Sequence, residues 1–258
     1  TASSTLTANV TFPFSVSKLD ATPNWNYISS NGMGNDAYLY VNGDNVKTKS
    51  TDPGNGYSYL PTNAEGEQEK WMWAIYPTIQ DNEFEFQIKN ASTNSYIQGT
   101  GEASSVTVGD TPATFSWNPC IGSGSGFCLK GTTVFLSVHS STSGEKDAIL
   151  WTKAGNTHKG ANLRFYTPDD LTELTASLQE SYNYYTSEDI VIGETFGTYS
   201  KDEVLYNEIE TSARSMVEGN ATAREMTEII GRMNNREGLT LYTTPYIYAL
   251  KCVGDNNT

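Results

Sequence analysis

Two carboxylates two residues apart, Glu83 and Glu85, come closest in this sequence to a catalytic constellation. In the alternating segment Phe84-Glu85-Phe86-Gln87-Ile88 they share one strand face, about 7 Å from each other. That spacing falls within the range of the acid–base pairs that cleave glycosidic bonds. Such pairs are also routine on solvated strand faces, and hydrolysis is the weakest of three functional readings. The two histidines, His139 and His158, form no His-Glu-x-x-His pattern and read as solvated loop residues. There is no Gly-x-Ser-x-Gly elbow, phosphate-binding P-loop or dinucleotide fingerprint. No catalytic residue, cofactor or metal is assigned.

Sugar binding asks for less. A pyranose offers an apolar C–H face to an aromatic ring and a rim of hydroxyls to Asp, Asn or Gln. Aromatics that stand outside the regular strand pattern are Trp25, Tyr57, Tyr59 and Trp151, with Asp36, Asn42, Asp44, Asn55, Asp147 and Asn156 as polar neighbours in sequence. From these, Trp25, Asp36, Asp44, Tyr57, Tyr59, Asp147 and Trp151 make the expected ligand-binding set. Trp151 follows the turn-like Ser143-Gly144-Glu145-Lys146-Asp147, and its competing reading is a core residue. Trp73 and Trp117 are assigned to the core.

Cys120 and Cys128 bracket the Gly- and Ser-rich run 121–127, a loop flexible enough to bring them together. A disulfide and two free thiols are both open readings, and Cys252 is left over. Asn9-Val10-Thr11, Asn90-Ala91-Ser92 and Asn220-Ala221-Thr222 match glycosylation sequons, the last better explained as a helix cap.

The elements that must position these residues change texture near residue 167. Up to 166 the chain is rich in Gly, Asn, Ser and Thr with alternating apolar residues; from 167 to 238 the apolar spacing is helical. The 258 residues suit two domains. Residues 1–23 read as an N-terminal lead that opens with the polar Thr1-Ala2-Ser3-Ser4-Thr5. The formal charge of −14 disfavours nucleic acid and anionic membrane surfaces as partners. No apolar run is long enough to span a bilayer.

The first part uses one plan three times. One unit contains Asn26-Tyr27-Ile28, Tyr38-Leu39-Tyr40-Val41-Asn42-Gly43 and Trp71-Met72-Trp73-Ala74-Ile75-Tyr76-Pro77. The second contains Phe84 to Ile88, Tyr96-Ile97-Gln98-Gly99 and Phe115-Ser116-Trp117-Asn118-Pro119. The third contains Phe127-Cys128-Leu129, Phe135-Leu136-Ser137-Val138 and Leu163-Arg164-Phe165-Tyr166-Thr167-Pro168. A hairpin of this size cannot bury its apolar face alone, whereas three around a pseudo-threefold axis share one core. The aromatic–aliphatic pairs are expected where the units meet. The pattern, over residues 24–168, resembles the β-trefoil and within it the ricin-type lectin family. The resemblance implies a glycan or polysaccharide partner. The family's Gln-x-Trp signature is absent as written: Trp71 or Trp73, Phe115 and Phe165 hold those slots. A β-sandwich or other small barrel is the competing architecture.

Thr167-Pro168-Asp169-Asp170 opens a helix with the stripe Leu171, Leu174, Leu178, Tyr182 and Tyr185. Ser200-Lys201-Asp202-Glu203 reads as a capping box for a second, with the stripe Leu205, Ile209, Ala213 and Met216. Asn220 or Thr222 caps a third, striped by Met226, Ile229, Ile230 and Met233 and ended by Gly238. This three-helix bundle, 169–238, with Gly197-Thr198-Tyr199 before its second helix, is similar to the FIVAR module of large bacterial extracellular proteins. Residues 239–258 are strand-like, either returning to the earlier sheet or opening a further domain. The fold class expected is a β-trefoil, a three-helix bundle and a short strand segment. The function expected is a non-catalytic, sugar-binding accessory region of a secreted or cell-surface protein; a structural or protein-binding region is the alternative.

Overall fold

The computed structural model describes residues 11–30, 36–50, 67–81, 83–120, 124–138, 144–152, 159–219 and 221–243. It holds a β-rich part and three helices. The strands fall into three quartets. The first is β1 (Trp25–Ser30), β2 (Ala37–Asn42), β3 (Asn45–Ser50) and β4 (Met72–Gln80); the second is β5 (Glu83–Asn90), β6 (Tyr96–Gln98), β7 (Thr107–Gly109) and β8 (Phe115–Pro119). The third is β9 (Ser125–Leu129), β10 (Phe135–Ser137), β12 (Ile149–Trp151) and β13 (Arg164–Tyr166), with an added strand β11 (Gly144–Asp147) laid against β3.

Each quartet is wired alike. The middle strands form a hairpin: β2–β3, β6–β7 and β10–β12. The first strand pairs with the second: β1–β2, β5–β6 and β9–β10. The first also pairs with the fourth in β1–β4 and β5–β8. In the third quartet a 3.2 Å bond from Leu163 N–H to the Ser125 carbonyl makes the equivalent link. Pairings β4–β5, β8–β9 and β13–β1 join the quartets, so six strands form a circuit. Where the hairpins meet, Val46 N–H donates to Val106 O, Val106 N–H to Ala148 O, and Ala148 N–H to Val46 O, each at 3.0 Å. All three residues are buried. This ring of bonds joins the three hairpins, and Leu39, Ile97 and Leu136 of the aromatic–aliphatic pairs share one buried core.

Strand alternation sends side chains to opposite faces, and β1 and β2 bury both. Ile28, Leu39 and Val41 join one core with Trp73, Ile75, Phe86, Ile97, Phe115, Phe127 and Leu136. Trp73 Nε1–H donates to Leu39 O at 3.0 Å, so its one polar atom is satisfied in that core. Tyr27, Tyr38 and Tyr40 face the other way and join Trp71 and the helices in a second core. Trp117 packs partly buried against the first core, where the sequence places it. The lead also enters this core. Phe14 is buried, its ring 4.9–5.3 Å from those of Phe86, Trp117, Phe127 and Phe165. Asn26 fastens the segment, its side-chain amide exchanging bonds of 2.9 and 2.8 Å with the Ser15 backbone.

The helices are α1 (Pro168–Tyr185), α2 (Glu203–Val217) and α3 (Ala223–Asn234). Thr167 and Thr222 cap α1 and α3 in full capping boxes with Asp170 and Glu225. The expected box at Ser200 is displaced: Ser200 lies in β14 (Tyr199–Lys201), paired with β15 (Leu239–Leu241), and the Asp202 carboxylate caps Val204 and Leu205 N–H. The third helix stops at Asn234, before Gly238. Gly238, at φ +81°, instead turns the chain into β15, where a Cβ would come within 2.9 Å of the Tyr206 backbone nitrogen. The predicted stripes supply the second core through Leu171, Leu178, Tyr185, Ile209, Ala213, Met226, Ile229 and Met233. Asp36, beside β2, pairs with Arg224 of α3 at 3.3 Å and ties the two parts further.

Equivalent positions should respond equally. Leu39→Ala, Ile97→Ala and Leu136→Ala, each fully buried, should each cost about 2–5 kcal/mol in urea unfolding. Burial also raises the phenol pKa of Tyr27, Tyr38, Tyr166 and Tyr206, and takes Tyr185 to about 12. A pKa raised on folding gives stability that is complete below the unfolded value of 10.0 and declines as pH rises through the folded one. Phenolate absorbance and helix loss should therefore rise together above pH 10 in an alkaline titration.

Candidate functional site

Residues of the second quartet shape a cleft of about 430 Å³ with mixed polar and apolar walls. Its walls include Gln98 at the end of β6, Thr100 and Ser105 from the connection, Thr107 in β7, and Thr111 and Pro112 beyond it. The β6–β7 register sets Gln98 opposite Thr107. Gln98 Nε2–H donates to Thr111 O at 2.9 Å, which holds the far wall. Gly109 leaves the space Gln98 needs: a Cβ there would come within 2.5 Å of Gln98 Oε1.

The third quartet backs the cleft. Ser105 bridges to Ile149, Leu150 N–H donates to Ser104 O at 3.1 Å, and Ala103 N–H donates to Leu150 O at 2.7 Å. Leu150 points into the core, so the next residue, Trp151, is on the outward face and 37% exposed. The lining carries hydroxyls, an amide and backbone but no ionisable side chain. Such walls both donate to and accept from a neutral, hydroxyl-bearing ligand.

Of the expected ligand-binding residues, the structure describes Trp25, Asp36, Asp44, Asp147 and Trp151, and it places them in separate parts of the fold. Trp25 opens β1 opposite Ala74, while Asp36 lies near the other end of that strand, 6% exposed and held by Arg224. Asp36 is thus an interface group and not the loop residue the sequence suggests. Asp44 is exposed in the β2–β3 turn, where its carbonyl accepts Val108 N–H at 2.8 Å. Asn42 closes that hairpin opposite Asn45. Asp147 pairs with Lys47 across β11 and β3. Trp151 alone of the described set borders the cleft strand. Tyr57, Tyr59, Asn55, Asn156, His139 and His158 lie outside the described residues. Gln98 and Thr107, which the cleft uses, sit in segments the sequence marks only as strand and loop.

The carboxylate pair is split by environment. Glu83 is exposed, and Glu85 is buried in an ion pair with Lys130. Cys120 and Cys128 are free thiols, not a bonded pair. The run between them is itself half strand: Cys128 stands opposite Ser116, whereas Cys120 N–H bonds Gly124 O. The two thiols instead pack with Phe135 and Ala161 in one small buried cluster. Burial, with a smaller contribution from Cys128, pushes the Cys120 thiol up to about 11; burial also raises Cys128. Asn90 of the second sequon is fully buried, its amide donating to Lys70 O and Met72 O and accepting from Ser92 and Thr93 N–H. It supports a turn and is closed to glycosylation in the folded chain.

No family model and no curated protein matches this chain. Among solved structures it is similar to the Rhizoctonia solani agglutinin, with 9% identity and a TM-score of 0.41 over 58% of this chain and 99% of that one. It is also similar to a GlcNAcα1-4Gal-releasing endo-β-galactosidase from Clostridium perfringens, with 14% identity and a TM-score of 0.37 over 57% of this chain. The match spans 33% of that enzyme's chain. Both scores are too low to establish a common fold.

A raised pKa keeps a thiol protonated and unreactive. The native chain should therefore leave Cys120 and Cys128 unmodified by iodoacetamide at neutral pH, and denaturant should expose both. Peptide mass spectrometry reads the two sites separately.

Proposed function

We propose that residues 24–168 are a β-trefoil of the ricin-type lectin-like kind and that the chain is a non-catalytic, carbohydrate-binding region of a larger secreted or cell-surface protein. The trefoil reading is supported by the three identically wired quartets and by the ring of bonds through Val46, Val106 and Ala148. The sugar reading rests on one observation above all: the cleft at Gln98, Thr107 and Thr111 has donors and acceptors but no charge in its lining. A neutral polyol can exchange its hydration for such groups without leaving a buried ion unpaired. Trp151 on the adjoining strand offers an exposed ring to the apolar face of a sugar. Glu85, the better placed of the two strand carboxylates for an altered environment, is instead engaged by Lys130.

The helices are read as a FIVAR-like spacer, with Gly197 at φ +83° supplying the turn before Tyr199. A protein-binding role is the second reading, and a specific observation favours it. Val191, Ile192, Phe196 and Leu241 are exposed, and backbone pairings around β14 and β15 gather them on one side of the helical part.

A glycan array probed with the labelled chain, followed by titration of tryptophan fluorescence, tests the first reading. Saturable binding is expected to weaken at least tenfold, about 1.4 kcal/mol, in Gln98→Ala combined with Thr107→Val, and to lose its fluorescence change in Trp151→Ala. Silence across a broad panel of glycans would remove the sugar reading and leave the protein-binding one.

A further inference from the structure

The three hairpins carry one outward position three times, and the fold treats the copies differently. Two series of equivalents define it. Tyr40, Gln98 and Ser137 follow Leu39, Ile97 and Leu136 of the shared core; Lys47, Thr107 and Ile149 follow Val46, Val106 and Ala148 of the bonded ring. The two series meet across the ladders: Tyr40 stands opposite Lys47, Gln98 opposite Thr107, and Ser137 opposite Ile149. Each of these residues follows a core residue on its own strand, so alternation turns it away from the first core.

The first copy is filled by the chain itself. Tyr40 is buried, its ring stacked on Trp71 at 4.3 Å, and its hydroxyl donates to the Glu145 carboxylate. Lys47 Nζ lies 2.5 Å from Asp147 and 3.9 Å from Glu145. Both carboxylates come from β11, because the third hairpin is long enough to run along four residues of β3. A neutral ligand could enter only by breaking that stack and parting those charges, which it cannot replace. The third copy is capped. Val138 N–H donates to Gly160 O at 2.9 Å, and a Cβ on Gly160 would come within 2.5 Å of Ser137 Oγ. The turn Lys159–Ala161 therefore sits directly on Ser137. Ile149, opposite, has no side-chain group to offer a hydroxyl.

The second copy is the cleft at Gln98. Here the neighbouring hairpin is a tight turn that sets Asn45 alone opposite Thr107 in the β3–β7 ladder, and no carboxylate reaches the lining. Given the sugar-binding function proposed for that cleft, we propose that the chain is monovalent. It takes one neutral sugar residue at Gln98 and Thr107, while β11 with Trp71 closes one equivalent position and the turn at Gly160 closes the other. A single chain then attaches to a glycan without bridging two.

The test is an NMR titration of the whole chain with a panel of neutral methyl pyranosides. Expected are saturable shifts at the Gln98, Thr107 and Thr111 amides that fit one site, and none at Tyr40, Lys47, Ser137 or Ile149. The Gln98→Ala, Thr107→Val double variant should lose every saturable shift. Gly109→Ala is the second variant: its Cβ would lie 2.5 Å from Gln98 Oε1 and displace only the end of that side chain, so binding should weaken at least tenfold in an otherwise unchanged spectrum. Saturable shifts at Tyr40 and Lys47, at Ser137 and Ile149, or anywhere else that outlast the double variant would overturn monovalence and leave the sugar reading standing. The absence of any saturable shift with every pyranoside would remove the sugar reading and monovalence with it.

Discussion

Three backbone hydrogen bonds that close on themselves organise this molecule. Each hairpin gives one N–H and takes one C=O at the same place, at Val46, Val106 and Ala148. Those groups are buried, so none can fall back on water, and an unpaired backbone group there would cost about 1–3 kcal/mol. No single hairpin can satisfy its own pair. The ring therefore makes the quartets interdependent, and it fixes their rotation about one another more firmly than hydrophobic contact alone would. Leu39, Ile97 and Leu136, one from each hairpin, are fully buried in the same core as Val46, Val106 and Ala148.

The Gln98 cleft follows from that arrangement. A hairpin pinned at its inner end leaves its outer loops free to vary, and the second quartet's connection is held against β12 at Ser104 and Ser105 while it lines the Gln98 cleft. At the other end of the circuit the strands diverge around an aromatic cluster that they cannot cover themselves. Phe12 and Phe14 cover it.

Much of this was legible in the sequence. The strands came from apolar alternation and the helices from caps and stripes, because both signals are local. Thr167 and Thr222 cap where their spacing to Asp170 and Glu225 says they should. What was illegible depended on long-range pairing. Ser200 looks like a cap until Thr240 claims its strand. The interval between the cysteines looks like a loop until β8 pairs with it. Phe14 is signalled by the alternation of Val10, Phe12, Phe14 and Val16, a period-2 run that reading residues 1–23 as a mere lead passes over. The expected ligand-binding set selected aromatics and carboxylates by type, and type does not show that Asp36 and Asp147 pair with Arg224 and Lys47. Gln98 and Thr107 become a pair only through the β6–β7 register.

The double-faced burial of β1 and β2 bears on how such a chain can be recombined. Its composition changes near residue 167, which invites cutting there. Yet Tyr27, Tyr38, Tyr40 and Trp71 are covered by the helices, so a graft of the front half alone would carry a bare tyrosine-and-tryptophan strip onto its new host. Shuffling that respects the surface has to move both halves together, or replace that strip with polar residues first.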